Sequence, residues 1–365
     1  MTGGVANQPD LVGKLTKIFS RVPSSDLITN LTAQIDSYSI DDLTVPISRS
    51  DGPTCYICSP TVAYVNYAIE ETRNLATHPI LQKTLIALIR ACRPLIRATG
   101  LDRQVQPNNW LFSTNPVPAL TAMDATALRD DLTQSDPDRA IVIRSLNPVA
   151  DAGTITALRS AGFLMLPSRQ IYIFDPQDGG TLTADAKRDR KLLENTIYQI
   201  APAATFSAED FSRAASLYEM LYLDKYTALN PQYTASYLAQ AHQIGLLQII
   251  GLRGDDDQLD GMVGLFDVGN TLTMPVVGYD TSKPQKTGLY RMLNAIGHRY
   301  AIEHQKFYNM SAGAAAFKRF RGARPTIEYT AVYVAHLGLR TRIATRITKT
   351  LLDVIGVPIL RKFEL

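Results

Sequence analysis

The sequence predicts an α/β fold made of two similar halves in tandem, each a mixed central sheet flanked by helices. Three observations point there. Short β-branched runs of strand length alternate with longer stretches of helical period. The order read over residues 61–174, two helices, two strands, a helix, a strand, a helix and two strands, broadly recurs over 207–334. A length of 365 residues also exceeds one typical domain. The likeness of the halves is one of pattern, without sequence identity between them.

Taken in order, residues 1–50 scatter Ser, Asp, Thr and Pro with weak periodicity and read as a partly ordered lead-in. The first half then spans 51–200. The spacing of Val62, Val65, Ala68 and Ile69 predicts a helix over 61–74, and 81–99 predicts a second, bent at Pro94. Strands are expected at 102–106 and 110–113, a helix at 122–133, a strand at 140–145, a helix at 154–161, and strands at 163–166 and 170–174. A charged helix over 184–200 and a connector at 201–206 lead into the second half, 201–336. There Ser207 is the expected N-cap, with Glu209 and Asp210 in the first turn, of a helix reaching 226. A helix at 231–244 and strands at 246–252, 262–267 and 271–277 follow, the last two joined at Gly269-Asn270. A long helix over 287–305, a strand at 307–310, a short helix at 314–320 and a strand at 327–334 complete the half.

Composition narrows the function. A net charge of +3 is too small to imply nucleic-acid binding by the chain as a whole. Residues 1–19 lack the apolar core of a secretory signal, and no stretch approaches the roughly eighteen apolar residues of a spanning helix. Three cysteines, Cys55, Cys58 and Cys92, argue against a disulfide framework and for a reducing compartment, so a soluble cytoplasmic protein is expected. Cys55 and Cys58 lack the second ligand pair that a zinc site needs, so no metal is expected and both read as buried small residues. His298 and His304, six apart, fall on different faces of their helix, and no Gly-x-Ser-x-Gly elbow occurs.

The most informative stretch is 274–301: an apolar strand, a loop with Pro284 and Gly288, and the start of a long helix. Free N–H groups and the helix dipole favour an anion there. The loop Gln285-Lys286-Thr287-Gly288-Leu289-Tyr290 resembles the phosphate loop of the GNAT superfamily, with Tyr290 where that pattern has a second small residue. Further on, Asn309-Met310-Ser311-Ala312-Gly313 and Phe317-Lys318-Arg319-Phe320-Arg321-Gly322 resemble the end of a GNAT fold. The Phe-Lys-x-x-x-Gly form is similar to the FemAB-like branch, which duplicates the fold in one chain, and the region also resembles BioF-like acetyltransferase domains. The combined resemblance covers about 200–336 and extends weakly to residue 60.

That resemblance implies acyl transfer to an amine by direct attack, with no permanently bound cofactor, from acyl-coenzyme A or aminoacyl-tRNA to a small-molecule or peptide amine. It implies a donor cradle of Val276, Val277, Gln285, Lys286, Thr287 and Gly288, with oxyanion support from the strand N–H groups. Asn309 and Ser311 orient the donor and Lys318 binds phosphate or stabilises charge, while Glu328 and Tyr329 stand as base and acid. The connection at 222–233 overhangs the acceptor site in such folds, which makes Tyr222, Lys225, Asn230 and Tyr233 substrate-binding candidates. Each of these residues reads equally well as part of a turn, a cap or the surface. The tail, 337–365, alternates Arg340, Arg342, Arg346 and Lys349 with Ile343, Ile347, Leu351 and Leu352. It reads as a basic amphipathic helix that packs on its own domain or touches tRNA or an anionic membrane. A catalytically inactive metabolite-binding module is the alternative reading of the whole; binding to DNA is not expected.

Overall fold

The computed structural model describes residues 8–40, 43–73, 78–178 and 182–364. Helices α1 (Gln8–Phe19) and α2 (Ser24–Leu27) precede the hairpin β1 (Gln34–Ile40) and β2 (Leu43–Asp51). A π-helical turn, Val62–Tyr67, runs into α3 (Ala68–Arg73), and α4 (Pro79–Ala98), β3 (Arg103–Pro107), α5 (Ala122–Ser135), β4 (Ala140–Leu146), α6 (Ala152–Ser160) and β5 (Leu164–Phe174) follow. Then come α7 (Ala184–Glu194), β6 (Gln199–Pro202) and α8 (Ala208–Tyr218), the last extended by a second π turn, Glu219–Asp224. Helix α9 (Ala235–Gln243), strands β7 (Gln248–Arg253), β8 (Leu259–Val268) and β9 (Thr271–Tyr279), helix α10 (Leu289–Glu303) and β10 (Phe307–Asn309) lead to α11 (Ala315–Arg319) and β11 (Arg324–Tyr333). Helix α12 (Leu339–Leu351), a third π turn (Leu352–Gly356) and α13 (Val357–Phe363) close the chain.

The eleven strands of the described residues join one sheet in the order β1-β2-β3-β4-β11-β5-β10-β9-β8-β7-β6. Only β3/β4 and β10/β9 are parallel neighbours; every other pairing is antiparallel. The order shows an exchange between the halves. Strand β11, from the second, sits between β4 and β5 of the first, and β5 in turn pairs with β10. Both sheet faces are covered, so central strands are apolar on both sides rather than alternating. Thus Ile141 and Ile143 of β4 pack in the core beneath α5 and α6, whereas Ala140 and Val142 pack on the opposite side with Val332 and Leu352. In β8, Met262 and Phe266 meet the α1, α8 and α9 core, and Val263 and Leu265 meet α10.

Local chemistry explains the ends. Ser207 accepts from the Asp210 N–H while the Asp210 carboxylate accepts from the Ser207 N–H, the reciprocal cap expected of acidic residues in a first turn. Several expectations need correction. Residues 34–40 and 43–50, read as part of a partly ordered lead-in, lie in the paired strands β1 and β2, and α1 buries Val12 and Leu15 in the main core. The stretch 110–113 is buried loop, not strand; Asn108 and Leu111 take positive φ and the Asn109 side chain accepts from the Leu111 N–H. The charged helix ends at Glu194, capped by Asn195; of the residues expected to extend it, 195–198 are turn and loop and 199–200 enter the edge strand β6. The expected pair of strands at 163–174 is the single strand β5. Asn74, the expected last residue of the first helix, lies outside the described residues, as do 1–7 of the lead-in.

Candidate active site

Strands β9 and β10 are paired at Phe307↔Thr271, Tyr308↔Leu272 and Asn309↔Thr273, after which β10 ends and β9 runs on alone to Tyr279. The parting strands open a cavity of about 850 Å³. Met274, Pro275 and Val277 line it from β9; Asn309, Met310 and Ser311 line it from β10 and the loop beyond. All three π turns reach it, through Tyr64 and Tyr67, through Leu221 and Tyr222, and through Leu352 and Gly356. A π turn inserts a residue into a helix and redirects its side chains, and such turns gather at functional sites.

Lys318, in α11, is 3% exposed although it borders the cavity. Its Nζ donates to the carbonyls of Ser311 (3.1 Å) and Ala312 (2.7 Å) and lies 5.7 Å from the centre of the Tyr172 ring. Among the described residues no carboxylate pairs with it. Burial, aided by the positive charge of Arg169, lowers its pKa to about 7. The loop that holds it is strained: Ser311 has φ 63° and Ala314 φ 49°. Asn309, 1% exposed, fixes the turn by accepting from the Ser311 N–H at 2.9 Å.

The first half supplies the opposite wall. Arg169 and Glu328 are cross-strand partners of β5 and β11 and form a two-point ion pair, Nε to Oε1 at 2.8 Å and Nη2 to Oε2 at 3.1 Å. Arg169 also donates to Thr114 Oγ1 at 2.8 Å, and that hydroxyl lies 3.4 Å from Ser311 Oγ, so the pair is tied to the loop holding Lys318. Among the described residues Arg144 has no carboxylate partner; it donates to the carbonyls of Ile57 and Ser113 and lies over the Tyr56 ring. Glu71, in the first turn of α3, faces the same cavity, and burial raises its carboxyl to about 7, partly offset by Arg169.

The expected site residues divide between this wall and other places. Lys318, Asn309, Ser311, Val277, Gln285, Gly288, Tyr222, Lys225 and Asn230 all border the cavity. The Asn230 amide donates to the Tyr222 and Thr227 carbonyls and accepts from Tyr67 Oη, so it also braces the connection it belongs to. Lys225 reaches the Tyr279 hydroxyl at 3.4 Å. Gly288 has φ 76°, which favours glycine, and a Cβ there would come within 2.6 Å of the end of the Leu192 side chain, which would have to shift. Six residues stand elsewhere. Val276 points into the core on the other face, Lys286 and Thr287 turn toward solvent, and Tyr233 is core, stacked on Tyr237 with its hydroxyl donating to the Leu111 carbonyl. Tyr329 packs with the α5/α6 core, and Glu328 is held in its ion pair. Helix α10 has no side-chain cap and no acidic residue in its first turn, but Tyr290 packs between Tyr279 and Phe317 at the cavity wall beside it.

Glu71, Tyr64, Tyr67, Arg144 and Arg169 were missed by the sequence reading. They lie on the half where the resemblance is weak, and only the strand exchange brings them opposite Lys318. Glu71 alone left a trace, as an acid in an otherwise apolar helical face.

No family model matches the sequence, and no curated protein matches it. Solved structures do. The crystal structure of FemX aligns with 94% of this chain and 99% of its own length at 10% identity and a TM-score of 0.54. L-PGS from Bacillus licheniformis aligns with 62% of this chain and 78% of its own at 13% identity and a TM-score of 0.44. A tandem GNAT protein from the clavulanic acid biosynthesis pathway aligns with 58% and 68% at 14% identity and a TM-score of 0.31. The FemX likeness runs through both halves, so the fold expected from the resemblance is the fold of the chain.

Proposed function

We propose that the chain is an acyltransferase that moves an acyl or aminoacyl group from an activated ester or thioester to an amine bound in the β9/β10 cavity. The observation that carries this reading is Lys318: a buried amine held by two carbonyls at the point where the strands part, where burial lowers its pKa to about 7. The acceptor nitrogen attacks the acyl carbon, a C–N bond forms, and the C–O or C–S bond to the donor breaks. In this scheme Glu71 takes the proton lost by the amine. Lys318, as the ammonium, faces the developing oxyanion and returns a proton to the leaving oxygen or sulfur. Neither step calls on a resident cofactor. Tyr290 favours an aminoacyl-tRNA ester over acyl-coenzyme A, because its ring takes room that a pyrophosphate would need at the start of α10.

The test is transfer to a panel of amines and short peptides, with acetyl-coenzyme A and a pool of aminoacyl-tRNA as donors, for the natural chain and for Lys318→Met. Transfer from one donor, slowed about a hundredfold or more by the substitution, is the expected result. Equal rates for the two proteins would remove Lys318 from the chemistry. No transfer from either donor would replace this reading with that of a metabolite-binding module.

A further inference from the structure

Helix α12 is folded with its apolar side outward. Its buried side is Ala344, Thr345 and Thr348, whereas Leu339, Ile343 and Ile347, one turn apart on one face, are 67%, 47% and 46% exposed. Val354, at 67%, and Ile355 carry the stripe past the helix end. Helix α4, which lies against α12, behaves similarly: Leu85 and Ile96 are buried while Ile80, Leu81 and Leu88 are exposed. Packing on the chain's own core, the commonest fate of an amphipathic helix, therefore does not account for these side chains.

The charge of these segments has one sign. Residues 79–98 and 339–364 carry Lys83, Arg90, Arg93, Arg97, Arg340, Arg342, Arg346, Lys349, Arg361 and Lys362, against the carboxylates of Asp353 and Glu364 alone. Both acids are already engaged, Asp353 by Lys349 and Glu364 by Arg319. The same elements form part of the cavity wall, through Leu85, Leu88, Ile89, Leu352, Ile359 and Leu360. Leu88 belongs both to that wall and to the exposed stripe, so the cavity rim and the outer face are continuous.

We infer that this face docks on the surface of an anionic lipid bilayer, with α12 lying in the interface. Aliphatic side chains enter the boundary between headgroups and acyl chains, and flanking lysines and arginines meet anionic headgroups. No helix among the described residues is long and apolar enough to cross a membrane, so the association is peripheral. A second copy on this face would oppose cation to cation. An RNA would leave the aliphatic stripe in water, and the exposed residues of α4 and α12 include no aromatic ring on which a base could stack. The inference rests on this surface and is independent of the proposed reaction.

The full chain is floated with vesicles of phosphatidylcholine, alone or mixed with phosphatidylglycerol. Expected are retention on the anionic vesicles only, weakening with added salt, and about tenfold weaker partition for Ile343→Asp/Ile347→Asp. These side chains stand in solvent, so the thermal midpoint of the double variant should match the natural chain, and Arg342→Glu/Arg346→Glu should weaken retention independently. The inference is overturned by no retention on either vesicle, or by retention indifferent to the aspartates. It is also overturned if vesicles fail while a polyuridylate probe binds, or while a concentration-dependent dimer is lost in Ile343→Asp/Ile347→Asp.

Discussion

Strands β3 and β4 stay paired at two positions and β9 and β10 at three before each parallel pair parts, but the two gaps end differently. Beyond β3 the chain folds back over the end of β4. Arg144 donates to the Ile57 and Ser113 carbonyls, the Asn115 N–H donates to Ser145 Oγ, and Asn109, fully buried, bonds Ser48 and Asn115. The crossover helix there, α5, begins with Thr121 and Asp124 capping each other. Beyond β9 the strand edge borders a cavity, and the crossover helix α10 begins at Gly288 without a side-chain cap. A gap between parallel strands becomes a site only where the chain leaves its polar groups unspent, because buried N–H and C=O groups otherwise find partners within the protein.

Three substitutions probe that contrast. The largest effect is expected from Glu71→Gln in the open gap. The natural rate should rise as pH climbs through about 7, where Glu71 ionises, and fall as Lys318 loses its proton, also at about 7, giving a narrow bell. Glu71→Gln should lower the maximum about a hundredfold and erase the acid limb. Retention of that limb would clear Glu71 of the proton transfer, and Asp124→Asn in the closed gap should leave the profile unmoved.

Next is Gly288→Val. A β-branched residue at φ 76° and a Cβ 2.6 Å from Leu192 should reduce unfolding free energy by about 2 kcal/mol in urea titration. Adding Leu192→Ala relieves the contact and leaves the φ strain, so recovery should be partial. Full stability together with lost donor binding would mean that the glycine serves the ligand alone.

The smallest effect is expected from Thr121→Ala, which removes the cap of α5 at about 1 kcal/mol. Transfer by the folded protein should be unchanged, and a slower rate would give the closed gap a part in the reaction.

The half carrying Lys318 was the legible one. Strand-to-helix spacing and the 309–322 motif are local, and nine of the fifteen site candidates read from it border the cavity. The misses have physical causes. Tyr233 has the composition of a binding residue, but its ring fits between Tyr218 and Tyr237, and burial is set by tertiary packing. Val276 and Val277 are alike in sequence, and only the strand's register decides which of them meets the cavity. Arg169 gave no signal because its partner Glu328 lies 159 residues away. The pairing of β1 with β2 was missed because β1 is an edge strand with mostly exposed side chains, so its hydrophobic pattern is faint.

The position of β11 also sets a timetable. Strands β4 and β5 are not neighbours, and the space between them is filled by residues 324–333. During synthesis the first half can form its helices and outer strands, yet its sheet cannot close until the last strand of the second half has left the ribosome. Arg169 meanwhile waits without its carboxylate and β5 stands with an open edge, the kind of exposed strand that invites mispairing. A chain assembled in this order reaches its final state late and all at once, and mutations that slow β11 should appear first as poor yield of folded protein.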